Sequence, residues 1–111
     1  MDDRLSVVIP VYNAENSLEE LYTALIGALE ELTGNFEIMM VDDCSRDLSY
    51  QKIKSLNNKD NRVRGIKLSH NFGQQNAIIC GLNYAFGDYI ITMDDDLQHD
   101  PEDMKKLYKK I

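Results

Sequence analysis

The chain has 111 residues, 43% of them hydrophobic, and a formal net charge of −7. That length bounds one domain at most, and the apolar share supports a packed core rather than disorder. The acidity argues against nucleic acid as a partner, because a phosphate backbone needs clustered Lys and Arg.

In chain order, "LSVVIPV" (5–11) is a β-rich run whose continuous apolarity predicts a strand buried on both faces. Ser17 and Glu20 then have capping-box spacing, and Leu18, Leu21, Leu25, Ala28, Leu29 and Leu32 follow at helical spacing. Gly34 is placed to end that helix as a left-handed residue. "FEIMMV" (36–41) predicts a second strand, and Asp47 is placed to cap a weaker helix to about Asn58. "RVRGIKL" (62–68) predicts a third strand nearer an edge, since its charges alternate with apolar residues. A helix is expected over 72–86, ending at Gly87, with Cys80 buried in its middle, and "DYIITM" (88–93) is the fourth strand. Asp100, with Pro101 behind it, predicts a last helix carrying Met104, Leu107, Tyr108 and Ile111 on one stripe, and Lys105, Lys106, Lys109 and Lys110 on its solvated face. With that stripe still open at Ile111, the chain reads as cut short.

No apolar run reaches the roughly 18–20 residues of a membrane span, and no basic, cleavable leader opens the chain. Cys44 and Cys80 have neither metal-site nor redox spacing, so free thiols in a reducing cytosol are expected.

Alternating strands and helices predict an α/β, doubly wound, mainly parallel sheet with its functional loops at the carboxyl ends of the strands. The unusual residues fall at those ends: Pro10-Val11-Tyr12-Asn13, Asp42-Asp43, Ser69-His70-Asn71 and Asp94-Asp95-Asp96. Carboxylates crowded on one rim without matching Lys or Arg either rise in pKa or bind a cation, and oxygen ligands suit a hard ion such as Mg²⁺ or Mn²⁺. In an extended segment Asp94 and Asp96 would point the same way and Asp95 elsewhere. Asp100, Glu102 and Asp103 are read as caps and dipole partners, whereas Asp94 and Asp96 lie too far upstream to cap. A strand-end Asp can simply begin a turn, but coincidence with the other rim residues brings Asp42 and Asp43 into the site. Asn71, Gly73 and Gln74 open a helix whose free amides could meet a phosphate, or could equally form a cap with a packing glycine.

"VVIPVYNAENSLEEL", "IMMVDDCSRD", "LSHNFGQQNAIICGL" and "GDYIITMDDDLQHDPE" together resemble the family-two glycosyltransferases of the GT-A fold, above all those acting on polyprenyl phosphates. The resemblance implies that residues 1–111 are the Rossmann-like, nucleotide-sugar-binding N-terminal part of a catalytic domain. It implies that Pro10 and Tyr12 line the base slot and that Asp43, with Asp42 beside it, accepts from the base. It places Asn71 and Gly73 at the nucleotide pocket, Asp94 on metal and ribose, and Asp96 and Gln98 on a Mg²⁺ or Mn²⁺ ion. It further implies an inverting transfer from a nucleoside-diphosphate sugar to a lipid phosphate at the cytoplasmic face of a membrane. The base, uracil or guanine, stays open. No residue here is nominated as general base, because the family's acceptor-side segment, and with it any membrane contact, lies beyond Ile111. The chain departs from the family pattern at Ala14, where glutamate is usual, at Cys44 for glycine, at Asp95 for a small residue, at His99-Asp100, and at His70 for a stronger base. The competing expectations are a non-catalytic nucleotide-binding module and a Mg²⁺-dependent signalling receiver domain, though the latter needs its acidic pair after the first strand.

Overall fold

A computed structural model of the chain describes residues 4–95. Seven elements alternate: β1 (Leu5–Val11), α1 (Leu18–Leu32), β2 (Phe36–Asp42), α2 (Ser49–Lys59), β3 (Val63–Lys67), α3 (Gln74–Tyr84) and β4 (Tyr89–Thr92). The strands are all parallel, in the order β3-β2-β1-β4, with β3 on an edge as its mixed sequence predicts. This is the order of one half of a dinucleotide-binding sheet. A receiver-type sheet would seat β3 beside β1, so that alternative is excluded. The helix expected after Asp100 lies outside the described residues.

The period of two along each strand divides the interior into two layers. Leu5, Val7, Ile9 and Val11 of β1, with Phe36, Ile38 and Met40 of β2, pack under α1 and α2 against Leu18, Leu21, Leu25, Leu29, Ile53 and Leu56. Val8, Met39 and Val41 face the other way, onto Ala77 of α3. Helices cover both faces, which is why β1 and β2 are buried at every position.

Several local expectations yield to tertiary contacts. Ser17 precedes α1 but caps nothing with its side chain; its hydroxyl donates instead to the Asp95 carbonyl at 2.9 Å. Gly34 does not take the left-handed conformation, Gly73 being the one positive-φ glycine among the described residues. α1 ends because Thr33 turns extended, and Thr33 Oγ1 accepts the Asn35 amide at 3.1 Å, leading straight into β2. Asp47 does serve the start of α2, accepting the Ser49 amide at 2.9 Å. Cys80 is half-buried rather than buried, because α3 lays only one narrow side on the sheet. Both cysteines are free thiols. Among the described residues no helix is long and apolar enough to cross a membrane.

Gly87 does not terminate α3, which ends two residues before Phe86 with Ala85 at its cap. It lies against β1, where a Cβ would sit 2.5 Å from Ser6 Oγ, 2.6 Å from Ser6 N and 2.9 Å from Tyr89 O. Two of those neighbours are backbone and cannot swing away. Gly87→Ala should therefore cost about 2–3 kcal/mol. An unchanged urea midpoint would contradict that close approach.

Candidate functional site

At the carboxyl edge of the sheet, where chain order reverses between β1 and β4, lies a cleft of about 340 Å³. It is lined by Pro10, Val11, Tyr12, Asp43, Asn71, Gly73, Gln74, Asp94 and Asp95. Pro10, Tyr12, Asp43, Asn71, Gly73 and Asp94 thus come together from four separate stretches of chain. Asp96 and Gln98 lie outside the described residues. His70 is not part of the lining; its ring stands edge-on to Phe72 at 5.7 Å.

The alternation that splits the core also sorts the acidic residues. Asp42 continues the α2-facing side of β2 and is fully buried, with both carboxylate oxygens accepting from Ser45, its amide and its hydroxyl. It braces the turn from behind and is not among the residues that line the cleft. Asp43 falls on the α3 side. Its Oδ1 accepts the Phe72 amide at 2.8 Å and its Oδ2 the Gly73 amide at 3.0 Å. The turn that follows Asp43 and closes with Ser45 on Asp42 holds Cys44 in the left-handed region at φ 59°, which explains why glycine would suit that position. Asn71 Oδ1 also accepts the Gly73 amide, at 3.2 Å, and Gly73 takes φ 97°. The amides that open α3 are therefore partly spoken for by Asp43 and Asn71.

Asp94 likewise falls on the α3 side, where its Oδ1 accepts from Gln74 Nε2 at 2.7 Å. Asp95 turns the other way, toward the β1–α1 loop, but because the strand has ended in a bend it still lines the same cleft. Its Oδ2 accepts the Tyr12 amide at 2.9 Å. Sequence reasoning turned Asp95 away from the site and considered Gln74 only for its backbone amide; neither side chain had a local signature beyond adjacency to a rim residue.

The β1–α1 loop is built the same way. The Asn13 amide donates to Ser45 Oγ at 2.9 Å, that of Ala14 to Ser49 Oγ at 2.8 Å, and that of Glu15 to Asp47 Oδ2 at 3.2 Å. Asn13 Oδ1 accepts the Arg46 amide at 2.9 Å, which helps hold its own left-handed φ of 51°. Burial would push the Asp47 carboxyl up, but the Ser49 and Glu15 donors outweigh it and hold it below the ordinary carboxylate range. These bonds fix one wall of the cleft from neighbouring loops rather than from regular structure.

Among the described residues no group of three or more His, Cys, Asp or Glu side chains could hold a metal. The donor chemistry at the rim, with Asp94 presenting hard carboxylate oxygen, suits one part of a divalent-cation site.

Residues 6–111 match the family model described as "Glycosyl transferase family 2". The chain is 43% identical over 106 residues to the undecaprenyl-phosphate 4-deoxy-4-formamido-L-arabinose transferase of Proteus mirabilis, covering 95% of this chain and 32% of that protein. It is 43% identical over 109 residues to the transferase of the same name from Shewanella sediminis, covering 97% and 33%. The chain thus spans about a third of the length of the curated relatives it matches. Among solved structures it is similar to S. aureus TarS 1-349 in complex with UDP-GlcNAc, with TM-score 0.73 and 28% identity over 96% of this chain and 30% of that one. It shares its fold with the mannosyltransferase PcManGT of Pyrobaculum calidifontis, at TM-score 0.76 and 20% identity over 86% and 28%.

Proposed function

Because the chain belongs to glycosyl transferase family 2, we propose that its cleft binds the nucleoside diphosphate of an activated-sugar donor, within an enzyme that transfers the sugar to a polyprenyl phosphate. The observation that carries this reading is the convergence of Tyr12, Asp43, Asn71, Gly73 and Asp94 on one cleft at the reversal of strand order. The likeness to a structure in complex with UDP-GlcNAc supports the donor class, and the names of the relatives support the acceptor class.

In this reading Pro10 and Tyr12 flank the base, and Asp43 holds the loop of Asn71 and Gly73 where it can border the ribose and phosphates. Asp94, with Asp96 and Gln98 beyond the described residues, contributes oxygen ligands to a Mg²⁺ or Mn²⁺ ion. When bound, that ion supplies Lewis-acid stabilisation of the departing diphosphate. The acceptor phosphate is already anionic, so the need for a protein base is less acute, and the displacement is in line with inversion at the anomeric carbon. In this reading the enzyme works at the cytoplasmic face of a membrane.

Calorimetry with UDP and with GDP, each with Mn²⁺ and with EDTA, tests the reading. One nucleotide should bind, more tightly with Mn²⁺. Asp96→Ala should remove that Mn²⁺-dependent increment, roughly tenfold, and leave the fold intact. A folded chain that binds neither nucleotide would sink the proposal, and an Asp96→Ala variant binding as wild type would remove the metal role of that residue.

A further inference from the structure

We infer that Asp95 is a positioning residue: its carboxylate acts as a hydrogen-bond acceptor that ties the end of β4 to Tyr12 and so sets the wall of the cleft on which Tyr12 stands. The inference rests on the nucleotide-binding reading of that cleft. Four consecutive amides of the β1–α1 loop, Tyr12 to Glu15, each donate to a side-chain oxygen from another segment of the chain. Three of those acceptors, Ser45, Ser49 and Asp47, belong to the β2–α2 connection and the start of α2. Asp95 alone of the four reaches across from β4, with Oδ2 2.9 Å from Tyr12 N.

A second bond makes the crossing a clamp. Ser17 Oγ donates to the Asp95 carbonyl at 2.9 Å, so side chain and backbone of one residue hold both ends of the loop that leads into α1. Tyr12 is 41% exposed and belongs to neither layer of the hydrophobic core. Its place on the cleft wall therefore depends on how its backbone is held. Pairing between β1 and β4 ends at Val8 with Thr92, so on the β4 side no strand ladder reaches Tyr12, while on the other side β1 pairs with β2 as far as Val11.

The role asks only for an acceptor oxygen, which separates it from metal ligation or a charge effect. Asparagine keeps such an oxygen and loses the charge; alanine loses both. In the 111-residue chain, Asp95→Ala should weaken binding of UDP or GDP, measured calorimetrically with Mn²⁺, by about fivefold, and Asp95→Asn should stay within about twofold of wild type. By NMR, amide exchange at Tyr12 should accelerate roughly tenfold in Asp95→Ala and little in Asp95→Asn. An Asp95→Asn variant as impaired as Asp95→Ala would overturn the inference, because charge would then be what matters. Unchanged exchange or unchanged affinity in Asp95→Ala would overturn it equally. Failure of the wild-type chain to bind either nucleotide would show itself separately, in the reference titration. It would end the functional reading and the positioning role together, even if the exchange result showed the tie to exist.

Discussion

Asp43→Ala should cost about 2–3 kcal/mol of stability and weaken nucleotide binding roughly 30-fold. The Asp43 side chain is 4% exposed, and each of its oxygens accepts a backbone amide, Phe72 at 2.8 Å and Gly73 at 3.0 Å. Removing it leaves the Phe72 amide without its acceptor and the Gly73 amide with the longer bond to Asn71 Oδ1 at 3.2 Å. Each loses a charge-assisted bond, although water can reach a loop in which Phe72 is half exposed, so the stability cost stays at the lower end. Binding falls as well because the same loop presents Asn71, Gly73 and Gln74 to the cleft. Asp43→Asn should fall between, since its amide group would face one N–H donor with another. Urea denaturation and calorimetry with UDP and GDP measure the two effects. Wild-type stability in Asp43→Ala would show that the loop does not depend on this latch.

The second large effect is expected at the opposite end of the sheet. Glu37 is 3% exposed within β2 and collects the Ser6 hydroxyl at 2.6 Å, Arg64 Nη1 at 2.6 Å and the Phe86 amide at 2.9 Å. Ser6 Oγ in turn accepts the Gly87 amide at 2.9 Å. Strands β1, β2 and β3 and the α3–β4 connection therefore meet at one carboxylate. Glu37→Ala should cost about 2–4 kcal/mol, because the Ser6 hydroxyl and the Phe86 amide lose their acceptor while the part-exposed Arg64 can turn to water. Burial by itself would push the Glu37 carboxyl up, but the donors from Ser6, Phe86 and Arg64 outweigh it, and the group sits below the ordinary glutamate range.

A lowered folded-state value means that Glu37 contributes its stability above the unfolded value, about pH 4, and loses it as pH falls through the folded one. Asp60 acts with the same sign, held well below the usual range chiefly by the Arg62 guanidinium and also by the Tyr22 hydroxyl. Asp47 adds to both. Stability should thus be level from neutral pH to about pH 5 and fall steadily below about pH 4. Glu37→Gln should be less stable at pH 7 but show a shallower acid loss, read from urea midpoints across that range. An acid slope identical to wild type would remove Glu37 from the account.

The alternation of elements was legible in the chain because each signal is local. A continuous apolar run such as "LSVVIPV" and the spacing of Leu18, Leu21, Leu25 and Leu29 state their own period, and the strand and helix they predict are those observed. Caps were less legible. Ser17 and Gly34 have the right chemistry for helix ends, but the competing partner of Ser17 is a carbonyl 78 positions away, and Gly34 is bypassed by an extended Thr33. Glu37 drew no functional or structural reading in "FEIMMV", since its partners Ser6, Arg64 and Phe86 all come from other elements.

By itself the sequence determined the order of strands and helices, the rim on which the polar strand ends gather, and the family. Only the tertiary structure decided what each acid on that rim does. Asp42 and Asp43 are chemically identical neighbours, as are Asp94 and Asp95, yet one member of each pair meets α3's side of the sheet and the other meets the opposite side. Adjacent residues on a strand point to opposite faces, and which face is which depends on the helices that fold back over the sheet, partners that no short stretch of chain contains.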